Sequence, residues 1–212
     1  MRVAFTFLFM KEMYLEDGYL WAFDATVEDV FGELVILDKT AFYPLSGGQP
    51  SDLGLLLRGD EQFQVGGVEP GEGAIKHLLD RAGLLPGDRV SGIIDSERRY
   101  RFMRSHTACH ILSAVIFQET GAKITGNQIE LSRSRVDFSL ESFDKAKMNE
   151  YVEKANGIVD ERHVVTTRIL PRAEALALPD LVRLAMDVPD REMIKAENKG
   201  KANRRVYFSQ ED

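Results

Sequence analysis

The segment Met103–Ser113 reads MRSHTACHILS and sets His106 and His110 four residues apart. On an α-helix a four-residue step turns about 400° and climbs about 6 Å, so both imidazoles fall on one face, on successive turns. Two imidazole nitrogens placed this way are able to share one metal ion at about 2.0–2.1 Å each, the usual bond length to zinc. The same spacing also suits two histidines that only pack or hydrogen-bond. The residues around the pair have to decide between these readings.

The flanking residues read as the helix that this geometry needs. Asp95 caps the start, Ser96 and Glu97 fill the first turn, and Met103, Ile111, Leu112, Val115 and Ile116 carry an apolar run to about Gln118. Gly121 ends it. Before this helix the chain is strand-like. Leu20–Val30 alternates and turns at Phe31-Gly32 into Glu33–Asp38, a hairpin pattern. Leu53–Leu57 and Gln62–Val68 pair around Gly59-Asp60, and Ala74–Leu79 and Arg89–Ile94 are two further strands. Short strands separated by Gly and Pro predict a small β-barrel for residues 1–93. The opening MRVAFTFLFM lacks a signal-peptide cleavage pattern and soon meets Lys11 and Glu12, so it too reads as a strand.

Residues 94–212 alternate in type. After the histidine helix, Ala122–Thr125, Gln128–Leu131 and Val136–Ser139 read as strands. Ser142–Asp160 reads as a helix with Ser142 as its cap and with Met148, Tyr151, Val152, Ala155, Ile158 and Val159 at helical spacing. His163–Leu170 is a strand, Pro171 suits the first turn of a short helix, and Leu181–Val188 and Arg204–Phe208 are further strands. The predicted class is α+β: an N-terminal small barrel, then an α+β domain whose mainly antiparallel sheet is packed by helices.

At 212 residues, 44% hydrophobic and 29% charged, the chain supports one large or two small cored domains. No apolar run approaches the ~18–20 residues of a membrane span, so no membrane partner is expected. The net charge of −7 disfavours non-specific nucleic-acid binding by the global field. Any RNA contact must come from local basic patches. The single cysteine, Cys109, excludes an internal disulfide and fits a reducing cytoplasm. Basic residues gather at Arg98, Arg99, Arg101 and Arg104, and again at Lys195, Lys199, Lys201, Arg204 and Arg205. The second run, KGKANRR, suits phosphate contacts, although a charge run also serves as a solvated face. In the first, Arg104 shares the neighbourhood of His106 and His110. His77 and His163 lie in strand-like surroundings and are expected to pack or hydrogen-bond rather than bind metal.

Three stretches, taken together, carry a family likeness: DKTAFYPLSGGQPSDLG (Asp38–Gly54), DSERRYRFMRSHTACHILS (Asp95–Ser113) and KAENKGKANRRVYF (Lys195–Phe208). In order and separation they resemble the alanyl-tRNA editing family, the stand-alone AlaX-type proteins and the editing domain of alanyl-tRNA synthetase. The resemblance covers nearly the whole chain, and a barrel followed by an editing domain is similar to the medium-length AlaX arrangement. It implies hydrolysis of mischarged tRNA for alanine, carrying serine and often glycine, with no obligate protein partner. A pocket sized for alanine excludes glycine poorly and rejects an added hydroxyl only weakly, so a second, hydrolytic site is needed. The resemblance further implies a zinc ion (Zn2+) with His106 and His110 among its ligands. It gives Thr125 a role in choosing serine over alanine, through its hydroxyl. It sets Ser46, Gly47, Gly48 and Gln49 beside the editing cleft, and gives Arg104, Lys199, Lys201, Arg204 and Arg205 to the acceptor end of the tRNA.

One part of the pattern is missing. The family's metal site is completed by a Cys and a His in a later CGGTHV-like stretch, expected after Leu181–Val188 and before Lys195, where this chain runs VPDREMIK. Either a further segment belongs near Pro189–Met193, the expectation here because the basic tail resumes intact, or the protein has lost half of its metal site. The second case describes a catalytically silent tRNA-binding relative. A zinc-dependent hydrolase of another ester is a third reading, which the basic tail disfavours.

Overall fold

Between Ala22 and Ile94 apolar side chains recur at alternate positions, the two-residue period of a strand with one face in a core. The computed structural model describes residues 11–71, 73–142, 144–177, 193–199 and 205–207. Its first elements are a short strand β1 (Lys11–Glu12), a 3₁₀ turn at Met13–Leu15, β2 (Ala22–Phe31), β3 (Leu34–Leu37) and β4 (Lys39–Thr40). They are followed by β5 (Gly54–Arg58), β6 (Glu61–Pro70), β7 (Ile75–Leu79) and β8 (Arg89–Ile94). Six of these strands close a barrel in the order β2-β3-β7-β6-β5-β8, every neighbouring pair antiparallel. Closure leaves no sheet edge to protect. β1 and β4 form a parallel pair outside it.

The barrel interior is filled by Phe23, Val27, Val35, Leu37, Leu56, Phe63, Val68 and Ile75, all buried, and by Phe42 from the connection after β4. Gly92 is a packing necessity: a Cβ there would stand 2.4 Å from the Phe23 ring. Here the expected strands appear at their expected places. The β2–β3 turn is centred on Gly32, whose φ of +68° supplies the left-handed residue that the turn requires.

The chain divides into two units after Arg101, inside helix α1 (Ser96–Thr120), whereas the change in sequence pattern falls at residue 93. The second unit continues with β9 (Ile124–Ile129), β10 (Ser134–Phe138), α2 (Lys145–Asp160), β11 (Val165–Pro171), α3 (Arg172–Ala177), β12 (Met193–Lys199) and β13 (Arg205–Tyr207). Its core joins Ile111, Val115 and Ile116 of α1 to Ala122 and to Tyr151 and Ala155 of α2.

Three sequence expectations need correction here. Ala122–Thr125 and Gln128–Leu131 are one strand, β9, because Gly126-Asn127 continues the ladder instead of turning. The cap of α2 is Asp144, not Ser142: its carboxylate accepts the N–H groups of Ala146 and Lys147 at 2.8 and 3.2 Å. The mainly antiparallel sheet is, among the described residues, a two-stranded β9-β10 ribbon and a separate three-stranded β11-β12-β13 sheet. The expected strands at the N-terminus and at Leu181–Val188 lie outside the described residues. No described helix is long and apolar enough to cross a membrane.

Candidate active site

Helix α1 starts and stops where local chemistry dictates. The Asp95 carboxylate accepts the Arg98 N–H at 3.0 Å, satisfying a first-turn donor that has no helical partner. At the other end Gly121, at φ +73°, donates its N–H to the Phe117 carbonyl at 2.8 Å and turns the chain away. The uninterrupted helix between these stops places His106 and His110 as their spacing requires. Their rings stack with centroids 4.8 Å apart and planes 7° from parallel. His106 is buried and His110 half-buried.

Two side chains between the histidines add to the site. Thr107 is buried, and its hydroxyl has no hydrogen-bond partner among the described residues. An unsatisfied buried hydroxyl costs about 1–3 kcal/mol, so such a group calls for an explanation in function or bound water. Sequence reading missed it, and the motif's threonine between the two histidines was the available signal. Cys109 is half-buried; burial pushes its thiol pKa up, while a hydrogen bond with Ser134 acts the other way. That bond ties α1 to the start of β10.

Thr125 occupies an irregular place. Gly126 pairs with Asp137 and Ile124 with Phe138, so Thr125 is the extra residue of a β-bulge. Bulges re-aim side chains and gather beside active sites. Thr125 is exposed. Gly126 lies directly under Asp137, where an added Cβ would stand 2.9 Å from Oδ2. Asp137 also pairs with Arg135 at 3.1 Å.

In the barrel unit, Ser46–Gln49 is a tight hairpin tip. Ser46 and Gln49 exchange both backbone hydrogen bonds, at 3.2 and 2.9 Å, across Gly47 and Gly48 at φ +58° and +77°. Two consecutive left-handed residues make a type I′ turn, which glycine adopts at least cost. Ser46, Gly47 and Gly48 are exposed; Gln49 is fully buried. The base of this loop is locked by Asp52 and Arg99, a buried pair that sequence reading did not assign. Arg104 is exposed on α1 and, two residues before His106, sits on a different side of the helix. Lys199 ends β12 and Arg205 opens β13, while Lys201 and Arg204 lie outside the described residues.

The donor set is short of what zinc takes. Structural zinc sites use four protein ligands and catalytic sites three. Among the described residues no cluster of three His, Cys, Asp or Glu side chains is placed to hold a metal. His77 sits in the barrel core, where its Nδ1–H donates to the Val35 carbonyl at 3.2 Å and its Nε2 accepts from the Thr40 hydroxyl at 2.9 Å. His163 pairs with Glu161. Both follow the expectation of hydrogen bonding. Among the described residues, His106 and His110 therefore fit half of a zinc site and do not fit a complete one.

A family model described as tRNA synthetases class II (A) matches residues 17–98. The chain is 42% identical to the alanyl-tRNA editing protein AlaX-M of Methanosarcina mazei, over 94% of this chain and 96% of that protein. It is 36% identical to the AlaX-M protein of Saccharolobus solfataricus, over 94% and 98% respectively. The alanine–tRNA ligase of Pyrococcus abyssi is 36% identical over 78% of this chain but only 18% of the ligase. The Methanosarcina mazei match runs over 240 aligned positions, more than the 212 residues of this chain, so that relative carries residues absent here. On the strength of these near full-length matches, the chain belongs to the alanyl-tRNA editing proteins of the AlaX-M kind.

Proposed function

We propose that this protein acts in trans on mischarged tRNA for alanine, hydrolysing the ester that joins a wrong amino acid, serine or glycine, to the 3′ end. The chain is an aminoacyl-tRNA editing hydrolase. The observation that carries the reading is the 42% identity extending over 96% of an alanyl-tRNA editing protein. The site chemistry is compatible with it. Ester hydrolysis needs a proton taken from the attacking water and one returned to the leaving ribose oxygen, and imidazole is the ordinary side chain for that traffic at neutral pH. His106 and His110 supply two imidazoles on one helix face. The bulged Thr125 hydroxyl would hydrogen-bond a seryl hydroxyl that alanine lacks. Ser46, Gly47 and Gly48 offer exposed backbone to the substrate, and the Lys199–Arg205 run offers charge to the acceptor-stem phosphates. The lone cysteine suits a reducing cytoplasm.

The test is deacylation of seryl-, glycyl- and alanyl-tRNA for alanine by the full chain, with and without added divalent metal. Release of serine or glycine well ahead of alanine is expected. Replacing His106 by Ala should abolish it with the circular dichroism spectrum unchanged. A second reading is favoured by the shortage of metal ligands: a tRNA-binding relative without turnover. Retention of the tRNA in a gel-shift assay, with no deacylation under any metal condition, would establish it in place of the first.

A further inference from the structure

The Ser46–Gln49 turn stands at the tip of a loop whose two arms meet β6 at Val68. Leu45 donates its N–H to the Val68 carbonyl at 2.9 Å, and the Val68 N–H goes to the Ser51 Oγ at 3.1 Å. The arms close at Tyr43 and Asp52, which exchange two hydrogen bonds: Tyr43 N–H to the Asp52 carboxylate at 2.6 Å and Asp52 N–H to the Tyr43 carbonyl at 3.0 Å. The Tyr43 ring packs edge-on against Tyr14 with centroids 5.5 Å apart, and its hydroxyl reaches the Ser46 carbonyl at 3.5 Å. Arg99 holds this junction from α1. It takes the Asp52 carboxylate through Nε and Nη2, and its other donors reach the carbonyls of Gly18 at 3.0 Å and Ala41 at 2.6 Å. Gly18 precedes β2, Ala41 follows β4 and Asp52 precedes β5, so one planar guanidinium fork joins three connections to the start of the helix. The barrel does not need this chain of contacts to close, because its six strands pair with one another. A buried ion pair adds little net stability over an apolar pair of the same volume; its better-attested use is to fix one arrangement.

We infer that Asp52 and Arg99 are positioning residues for the editing reaction: through Tyr43 they hold the Ser46–Gln49 turn in the one orientation that presents the exposed backbone of Gly47 and Gly48 to the mischarged 3′ end. What the turn meets is given by the editing reading, on which this assignment rests. A loop held in its binding shape avoids the ordering cost that a loose loop incurs on association. Loosening the neck therefore weakens substrate binding and shows in KM rather than in kcat.

The test uses the full chain and two readouts, amide hydrogen exchange by NMR and deacylation of seryl-tRNA for alanine. The double variant Asp52→Ala with Arg99→Met removes both charges together and leaves none unbalanced in the core. Its Ser46 and Gln49 amides should exchange at least about tenfold faster, measured against the amides of β5 and β6 in the same protein. Its KM should rise at least about tenfold, with kcat within about threefold of wild type. Arg99→Lys keeps the charge but lacks the fork that spans Gly18, Ala41 and Asp52, so it should move both readouts the same way by less. Arg58→Met breaks the pair with Asp88 at the far end of β5 and should leave turn exchange and KM unchanged. Wild-type protection of the turn amides in both the double variant and Arg99→Lys would overturn the inference, as would faster turn exchange with KM unaltered. A wild-type chain that releases no amino acid removes the editing reading instead, and tRNA affinity in a gel shift then takes the place of KM. Binding weakened about tenfold in the double variant keeps the inference, and equal binding overturns it.

Discussion

Asp52 and Arg99 are joined in the interior of the barrel unit, 1% and 0% exposed. The Arg99 Nε reaches both carboxylate oxygens at 2.9 and 2.8 Å, and its Nη2 makes a third, shorter contact. The remaining donors go to the carbonyls of Gly18 at 3.0 Å and Ala41 at 2.6 Å. Asp52 also accepts the Tyr43 N–H at 2.6 Å, while its own N–H returns to the Tyr43 carbonyl at 3.0 Å. The loop that carries the Gly47-Gly48 turn is thus closed at its neck by a carboxylate that the first turn of α1 neutralises. Burying two charges is expensive, and their attraction compensates only when the hydrogen bonds are complete; Arg99 places both its Nη groups and its Nε.

Breaking this pair is expected to destabilise the barrel strongly. Asp52→Ala leaves a guanidinium in the core with no counter-charge, a loss of about 3–5 kcal/mol. Urea denaturation of Asp52→Ala, Arg99→Met and the double variant should show the double costing clearly less than the sum of the singles. Additive losses would mean that the two side chains act independently.

His77 should make stability fall in mild acid. Burial lowers its pKa from 6.5 to about 4, against the opposing effect of its hydrogen bond to Val35. The unfolded chain therefore takes up a proton between these values that the folded chain refuses. Stability contributed by the neutral ring is complete above about pH 6.5 and is lost as pH falls towards 4. The full loss is about 3 kcal/mol. Denaturant midpoints measured across that window should decline, and His77→Phe should flatten the decline. An unchanged slope would assign the acid sensitivity elsewhere.

The left-handed turn at Gly47 and Gly48 predicts a ranking of substitutions. Alanine at either position meets a conformation about 1–2 kcal/mol unfavourable for an L-residue. Asparagine, which tolerates it, should cost less. Thermal melts should order wild type, Gly48→Asn and Gly48→Ala from high to low. Seryl-tRNA deacylation falling along the same order, with KM affected, would put the turn at the substrate.

Thr125 is exposed, so changing it should alter selectivity and leave stability alone. Thr125→Val keeps the shape and removes the hydroxyl. The rate ratio for seryl- over alanyl-tRNA is expected to drop about tenfold or more, because a site built to bond a hydroxyl loses its means of telling the two apart. Thr125→Ser should preserve the ratio. Equal ratios in all three proteins would take Thr125 out of discrimination.

Much of the barrel was legible because β2 and β6 bury every second side chain over much of their length, and α1 because Asp95 and Gly121 mark its ends. The rest depended on contacts that local pattern does not encode. Gly126-Asn127 looks like a turn; only pairing with Asp137 and Val136 shows that the strand runs on through a bulge. Ser142 and Asp144 are both good caps, and the apolar spacing that starts at Met148 does not choose between them. Arg99 reads as one member of a basic run, yet its partner is 47 residues away. The histidine pair was visible from spacing; among the described residues no cluster of three ligands forms around it.

The placement of Arg99 also limits how this protein can be taken apart. A gene fragment that stops at the last barrel strand, before the helix begins, would encode a closed sheet with a buried aspartate and nothing to balance it. The barrel borrows its counter-ion from the helix that goes on to present the histidines. Attempts to express the N-terminal module, to graft its glycine turn elsewhere or to permute the chain should therefore keep residues through at least Arg101 on the same polypeptide.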